Sequence, residues 1–486
     1  MQTFFLTLVN CALSFSLFFG GCAPRMGESF VGLPSVEAQP APEPNDVSAI
    51  AAVREHAHRI NGTPQDYDPL MAMIGEARFV MLGEATHGTH EFYRERAKIT
   101  RRLIEEKGFD AIVLEADWTD AFDVNQFVLG KTQAKKAGSA LSGFTGFPRW
   151  MWRNEEFRDL VTNVRSINDA RTGGEHKVGI YGMDLYGLEE SAAALTKYLR
   201  RTDCEAATVA ARRYGCFNAY LGRMEEYARV AAANPKRSCE TQVAEQFNEV
   251  EKRYRDWLAR GTRERDDELF SAYQNARVVK NGEAYFRRGS EAGFSSWNLR
   301  DTHMSETINA LADYFAAVGD GTSKIAVWAH NSHQGDALMT QMSESGELNV
   351  GHLMRKAHDG QTVLVGFTTY RGKVLAAHEW GSEGTVRTLR PALAGSYSSI
   401  FADTGIPNFM LIFRGNQPLS EELGTERLQR AVGVIYRPQT ERQSHYFQAR
   451  ISQQFDAVIH FTETRAVKPL PMAPENKLLT PYRGDE

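Results

Sequence analysis

Arg78 to Arg96 reads RFVMLGEATHGTHEFYRER, and the reading of this stretch decides the fold class. Its apolar run, Phe79-Val80-Met81-Leu82, has the length of a buried strand. Gly83 ends the run, and Glu84, His87, His90 and Glu91 follow at once. A helical pattern then continues through Glu106 and breaks at Gly108, with Phe92, Ile99 and Leu103 roughly on one face. A strand that stops at a glycine and releases acids and imidazoles into the next turn marks the carboxyl end of a parallel strand. That is where open α/β sheets hold their ligands.

Three other stretches repeat this order. Asp110-Ala111-Ile112-Val113-Leu114 ends in Glu115-Ala116-Asp117, and Lys177-Val178-Gly179-Ile180-Tyr181 ends in Gly182-Met183-Asp184. Lys324-Ile325-Ala326-Val327-Trp328 ends in Ala329-His330-Asn331-Ser332-His333. Strand ends that all carry titratable groups predict one shared cleft, and groups scattered from Glu84 to His333 meet only if one domain spans most of the chain. Further β-like runs lie at Thr362–Phe367, Phe409–Phe413, Val432–Tyr436 and Ala457–Phe461. The expectation is an α/β fold: a mostly parallel sheet of about eight strands with flanking helices. Residues 189–293 are largely helical, with breaks at Gly215, Pro235 and Gly261, and predict a helical insertion over the cleft. Most of its charges read as solvated faces.

The 486 residues would suit about three average domains by length alone, but the strand ends argue for one. A net charge of −5 offers no basic footprint for nucleic acid. Phe4 to Gly21 is apolar and ends in small residues before Cys22, which resembles a secretory signal, and Phe19-Gly20-Gly21-Cys22 resembles a loose lipoprotein box. No Lys or Arg precedes the run, and Phe19 stands where leucine is usual, so an uncleaved anchor helix is the alternative. The expected organisation is a signal over 1–22, a flexible tether over 23–47, a domain over 48–470 and a tail over 471–486. An exported protein of the periplasm or outer surface follows, with Cys22 a candidate lipid anchor. Cys204, Cys216 and Cys239 permit one disulfide and one unpaired thiol.

The chemistry rests on imidazoles and carboxylates. No Gly-x-Ser-x-Gly elbow presents a serine nucleophile, and Ser332 lacks that elbow's flanking glycines. A neutral histidine can take a proton from water near neutral pH. A neighbouring carboxylate can fix its tautomer and stabilise the imidazolium that forms. Glu84 and His87, three apart across a turn, are the candidate pair. Glu115 is a candidate to hold the water or a second imidazole. Arg96 and His330 are candidate donors to the charge that develops on an ester carbonyl oxygen.

Other residues carry two readings each. His333 and His90 are ligand contacts or structural histidines. Trp150 and Trp152, in the aromatic stretch Phe144–Asn154, form a substrate wall or pack in the core. Asp117 and Asp184 contact substrate or cap the helices that follow them. A metal site is the rival use of the cluster, but no helical His-Glu-x-x-His occurs, and His330-Asn331-Ser332-His333 is the best fragment. The expectation is no metal and no cofactor. A metal-dependent hydrolase and an envelope haem or metal carrier are the alternatives.

The blocks Leu82-Gly83-Glu84-Ala85-Thr86-His87-Gly88, Val113-Leu114-Glu115-Ala116-Asp117 and Trp150-Met151-Trp152-Arg153-Asn154 resemble the erythromycin esterase family. So do Gly182-Met183-Asp184-Leu185-Tyr186, Trp297-Asn298-Leu299-Arg300-Asp301, Val327-Trp328-Ala329-His330-Asn331-Ser332-His333 and Gly433-Val434-Ile435-Tyr436-Arg437-Pro438. The resemblance covers roughly Ser48 to Leu470. It implies hydrolysis of a macrolide's lactone ester by activated water, without a covalent intermediate or a required metal. By the family's motif, His87 would be the general base, with Glu84, Arg96, Glu115, His330 and His333 as its polar shell. The substrate stays open between a macrolide and another cyclic or polysaccharide ester. Family members that confer antibiotic resistance act inside the cell, whereas this sequence reads as exported. The family also resembles a wider group of iron- and haem-handling lipoproteins.

Overall fold

The computed structural model describes residues 44–471, apart from 173–175, 262–264, 290, 292 and 320. Its strands, in chain order, are β1 (His58–Arg59), β2 (Phe79–Leu82), β3 (Ala111–Asp117), β4 (Gly179–Asp184), β5 (Ile325–Trp328) and β6 (Thr362–Ala376). They continue with β7 (Thr385–Leu389), β8 (Asn408–Ile412), β9 (Arg427–Arg430), β10 (Tyr446–Ala449) and β11 (Ala457–Thr464). Nine strands make one sheet in the order β1-β8-β11-β6-β2-β5-β3-β4, with β7 paired to the far end of β6. The six strands from β11 to β4 are parallel; β8, β1 and β7 run antiparallel to their neighbours. β9 and β10 form a separate antiparallel pair. The mostly parallel α/β expectation holds, with short antiparallel additions at the edges.

Continuous apolar runs mark these central strands because both of their faces are buried. Side chains alternate between two cores. Phe79, Met81, Ala111, Val113, Ile325 and Val327 enter one core, and Val80, Leu82, Ile112, Leu114, Ala326 and Trp328 enter the other. The helix His90–Lys107 buries Phe92, Ile99 and Leu103, as its spacing requires. The chain runs from β2 to β3, yet β5 lies between them, so the carboxyl ends of β2, β5, β3 and β4 stand side by side.

The expected insertion is present as the helices Leu188–Thr202, Cys204–Tyr214, Met224–Ala233, Glu240–Leu258 and Asp267–Arg288. Their apolar faces complete the first core through Tyr227, Val243, Phe247, Tyr254, Phe270 and Tyr273. Cys216 and Cys239 form a disulfide within it, and Cys204 is exposed and free. One expected strand does not form. Val432–Tyr436 makes only single bridges, Val432 with Thr86 and Ile435 with Ala377. It is apolar because Val432 and Tyr436 fill a small third core with Val374, Ala376 and Leu389. The first helix starts at Pro44, inside the expected tether, where Asp46 pairs with Arg427. The expected signal, the tether up to residue 43 and the tail from residue 472 lie outside the described residues. No helix among the described residues is long and apolar enough to cross a membrane.

Candidate active site

The turn after β2 is tied to its neighbours by backbone. The Asn331 N–H donates to the Glu84 carbonyl at 2.8 Å, and the His87 N–H to the Val432 carbonyl at 3.1 Å. The first bond sets the end of β2 beside the end of β5, and the second ties the turn to the segment at Val432. Within the turn, His87 Nδ1 lies 2.7 Å from Glu84 Oε1, and Arg96 Nη2 donates to Glu84 Oε2 at 2.8 Å. Glu84 and Arg96 are fully buried. The Arg96 guanidinium also lies between rings, 4.6 Å from the Tyr93 centroid and 4.5 Å from that of Trp328. A carboxylate so placed accepts a hydrogen bond from the Nδ1–H of His87 and leaves Nε2 with the lone pair.

The His330 ring stands 5.0 Å from the His87 ring, centroid to centroid. The Ser332 backbone N–H donates to His330 Nδ1 at 3.2 Å, so the ring proton of the neutral form sits on Nε2. Burial pushes the His330 imidazole down to about 3, with the nearby His87 adding to the effect. It is therefore neutral at ordinary pH. Its Nε2 makes no hydrogen bond of ordinary geometry, and the Ala85 carbonyl near the ring exerts only a minor pull.

Glu115, at the end of β3, has both oxygens engaged. The His330 N–H donates to Oε2 at 2.8 Å, and Arg300 Nη2 donates to Oε1 at 3.0 Å. His333 Nε2 lies 3.3 Å from Oε1. Burial alone would raise the Glu115 carboxyl, but His333, His87 and Arg300 outweigh it and hold the group well below the usual carboxylate range. Glu115 is thus a fixed acceptor rather than a free base for water.

His333 is held on both sides. Its Nδ1 lies 2.9 Å from Asp301 Oδ1, and the Trp297 ring stacks on it at 4.4 Å. Burial opposes protonation, but Asp301 and Glu115 raise the imidazole to about 9. In that state Arg300 Nη1, 3.0 Å from His333 Nε2, is a neighbouring cation and not its hydrogen-bond donor.

The remaining expected residues divide. Asp184 joins the cluster by taking Arg300 Nε at 2.9 Å and Nη2 on its two oxygens. Asp117 stands beside it without a side-chain capping bond, and its Oδ1 is buried without a partner. Burial, then Asp184, push its carboxyl well above the usual carboxylate range. Trp152 packs against Tyr93 and Phe157 and donates to the Glu115 carbonyl at 3.1 Å, so it is core and not a substrate wall. Trp150 is also buried, under Gly88 and Gly384. His90 turns away to Glu156 at 2.6 Å. Arg300, Asp301 and Trp297 were not singled out as site residues from sequence. Their only signal is the Trp297–Asp301 block, where charges at a helix start look solvated.

His87 and His330 are 4% and 5% exposed, so the centre is nearly enclosed. A cavity of about 480 Å³ lies elsewhere on the helix Ser296–Val318, lined by Asn281, Arg288, Phe294, Thr302 and His303. Among the described residues, no group of three or more His, Cys, Asp or Glu converges to hold a metal ion.

The family model described as Erythromycin esterase matches residues 104–464. The match begins after Arg96, so Glu84, His87 and Arg96 rest on their own motif and geometry. The chain is 21% identical to an Escherichia coli protein named erythromycin esterase type II, over 82% of this chain and 92% of that one. It is 20% identical to the Bacillus subtilis protein YbfO, named only as a candidate hydrolase, over 86% of this chain and 92% of that one. A solved structure named as a succinoglycan biosynthesis protein superposes with a TM-score of 0.71 at 18% identity, over 87% of this chain and 99% of that one. A mutant of the erythromycin esterase EreC, in its open conformation, superposes with a TM-score of 0.56 at 16% identity, over 83% of this chain and 94% of that one. At these identities the superpositions establish the fold.

Proposed function

The chain belongs to the erythromycin esterase family and is on that footing a hydrolase, and we propose that it hydrolyses an ester through a water activated by His87. One observation carries the reading: Glu84 holds His87 Nδ1 at 2.7 Å, is itself held by Arg96, and leaves Nε2 as the base. In the first step Nε2 takes a proton as the water oxygen bonds to the carbonyl carbon. The carbonyl oxygen gains the negative charge, and His330, neutral with its proton on Nε2, is the candidate donor to it. Collapse breaks the bond to the alcohol oxygen, which takes the proton back from His87. The products are an acid and an alcohol, with one water consumed and no covalent intermediate.

Arg96 does not take the donor role that its sequence position suggested. It is fully buried beneath Glu84, and its function in this reading is to keep that carboxylate charged and aimed. The substrate is a macrolactone or a similar cyclic or polysaccharide ester. We also propose export to an oxidising compartment, which the Cys216–Cys239 disulfide supports.

The experiment is mass spectrometry of a panel of macrolides, simple lactones and acylated polysaccharides incubated with the enzyme. An intact member that gains one water supports the reading. A folded enzyme that adds water to none of the panel's esters contradicts it.

A further inference from the structure

Arg300 lies outside the pair that does the chemistry, yet Glu115, Asp184, His333 and Tyr186 converge on it. It leaves the helix Ser296–Val318 at the start of its second turn and reaches two strand ends. Nη2 donates to Glu115 at the end of β3, and Nε and Nη2 grip Asp184 at the end of β4. The Tyr186 ring covers the guanidinium at 5.2 Å. Around Arg300 stand Glu115, Asp184, Asp301, Tyr186, His333 and His303. Only His333 among these shares its positive charge.

We propose that Arg300 is a positioning residue for the His87–His330 pair: by clamping Glu115 to Asp184, it aims the second Glu115 oxygen at the His330 amide and fixes the His330 ring opposite His87. The relay is short. Glu115 Oε1 faces Arg300, and Oε2 receives the His330 N–H at 2.8 Å. Without the guanidinium, Glu115 and Asp184 repel across adjacent strands, beside Asp117, and Oε1 of Glu115 keeps only the longer contact to His333, at 3.3 Å, so Glu115 is held less tightly. The His330 amide then loses the fixed acceptor that orients its loop. Arg300 also helps to keep Glu115 ionised, together with His333 and His87, so its loss favours the protonated acid and weakens the same bond. Only the kinetic consequence rests on the esterase reading; the placement of His330 does not.

The test is histidine side-chain ¹⁵N NMR on Arg300→Met and Arg300→Lys. In the wild type, His330 shows a single tautomer with its proton on Nε2. In Arg300→Met its nitrogens shift toward averaging between tautomers, and Arg300→Lys moves part of the way back. His460, buried and bonded to Thr368 on the far side of the sheet order, stays unchanged as the control. If Arg300→Met does not fold, Asp184→Asn weakens the clamp from its other end and shifts His330 in the same direction. His330 signals that coincide with the wild type in the folded variants overturn the proposal.

On an ester that the wild type hydrolyses, kcat of Arg300→Met falls about a hundredfold, with KM within about threefold. The acid limb of its rate profile moves to higher pH. If the wild type hydrolyses no ester, the esterase reading fails while the NMR result still judges Arg300. Hydrolysis with an undisturbed His330 fails Arg300 alone.

Discussion

At the scale of single residues, the account turns on which ring nitrogen carries a proton. Glu84 fixes that for His87, so Glu84→Gln should lower kcat by about a thousandfold; it also strips the buried Arg96 of its counter-charge and should cost about 3 kcal/mol of stability, with kcat read on the fraction that stays folded. A loss below tenfold, measured under saturating substrate, would remove Glu84 from the mechanism. The buried histidines also make stability depend on pH in two opposite ways. Burial holds His303, His330 and His460 down at about 3, so each takes up a proton only on unfolding once the pH falls below its ordinary 6.5. Urea stability should therefore fall steadily below that pH. His333 is raised to about 9, so its contribution is complete below 6.5 and is lost as the pH rises toward 9. His333→Gln should flatten that alkaline decline, and an unchanged slope would contradict the Asp301–His333–Glu115 pairing. Sequence made His87, Glu84 and His330 legible because each follows a strand end. Arg300 and Asp301 are not legible, because charges near the start of a helix look the same whether they face water or a buried cluster.

At the scale of elements, the strand-to-helix turn carries the site, and its glycines are there for clearance. Gly88 has φ +69°, and a Cβ on it would stand 2.2 Å from the Leu375 carbonyl oxygen and 2.8 Å from the Trp150 ring. The first of these is backbone in β6 and cannot rotate aside. Gly88→Ala should cost about 2 kcal/mol or more in urea unfolding and should disturb His87, its neighbour. A substitution tolerated within about 0.5 kcal/mol would mean the turn is looser than its contacts imply. Elements were legible where burial is two-sided. The runs at β2, β3, β4 and β5 are nearly all apolar and were read as strands. β7 and β9 are not legible because both are short and rich in polar residues: TVRTL is mostly exposed, and RLQR buries Gln429 and Arg430, which do not read as core. Val432–Tyr436 reads as a strand for the converse reason: its apolar residues plug a small core beside the site without joining a ladder.

At the scale of the whole molecule, the sheet sets the site's floor and the helical insertion completes one of its two cores. The Cys216–Cys239 bridge spans 23 residues of that insertion, a loop for which a disulfide contributes about 3 kcal/mol. Beside it, Tyr227 receives the Cys239 N–H at 2.8 Å and donates to Glu283 at 2.5 Å, which couples the bridge to the helix Asp267–Arg288. Replacing both cysteines by serine should speed hydrogen exchange across residues 204–258 and leave β2 and β5 protected. Uniform loss of protection would show that insertion and sheet unfold as one. The convergence of distant segments on His87 is tested most directly by turnover. With an ester the wild type hydrolyses, His87→Ala should retain the native fold by circular dichroism and lose at least about three decades of kcat. Hydrolysis by the folded variant at a rate near that of the wild type would contradict the assignment of His87 as the base.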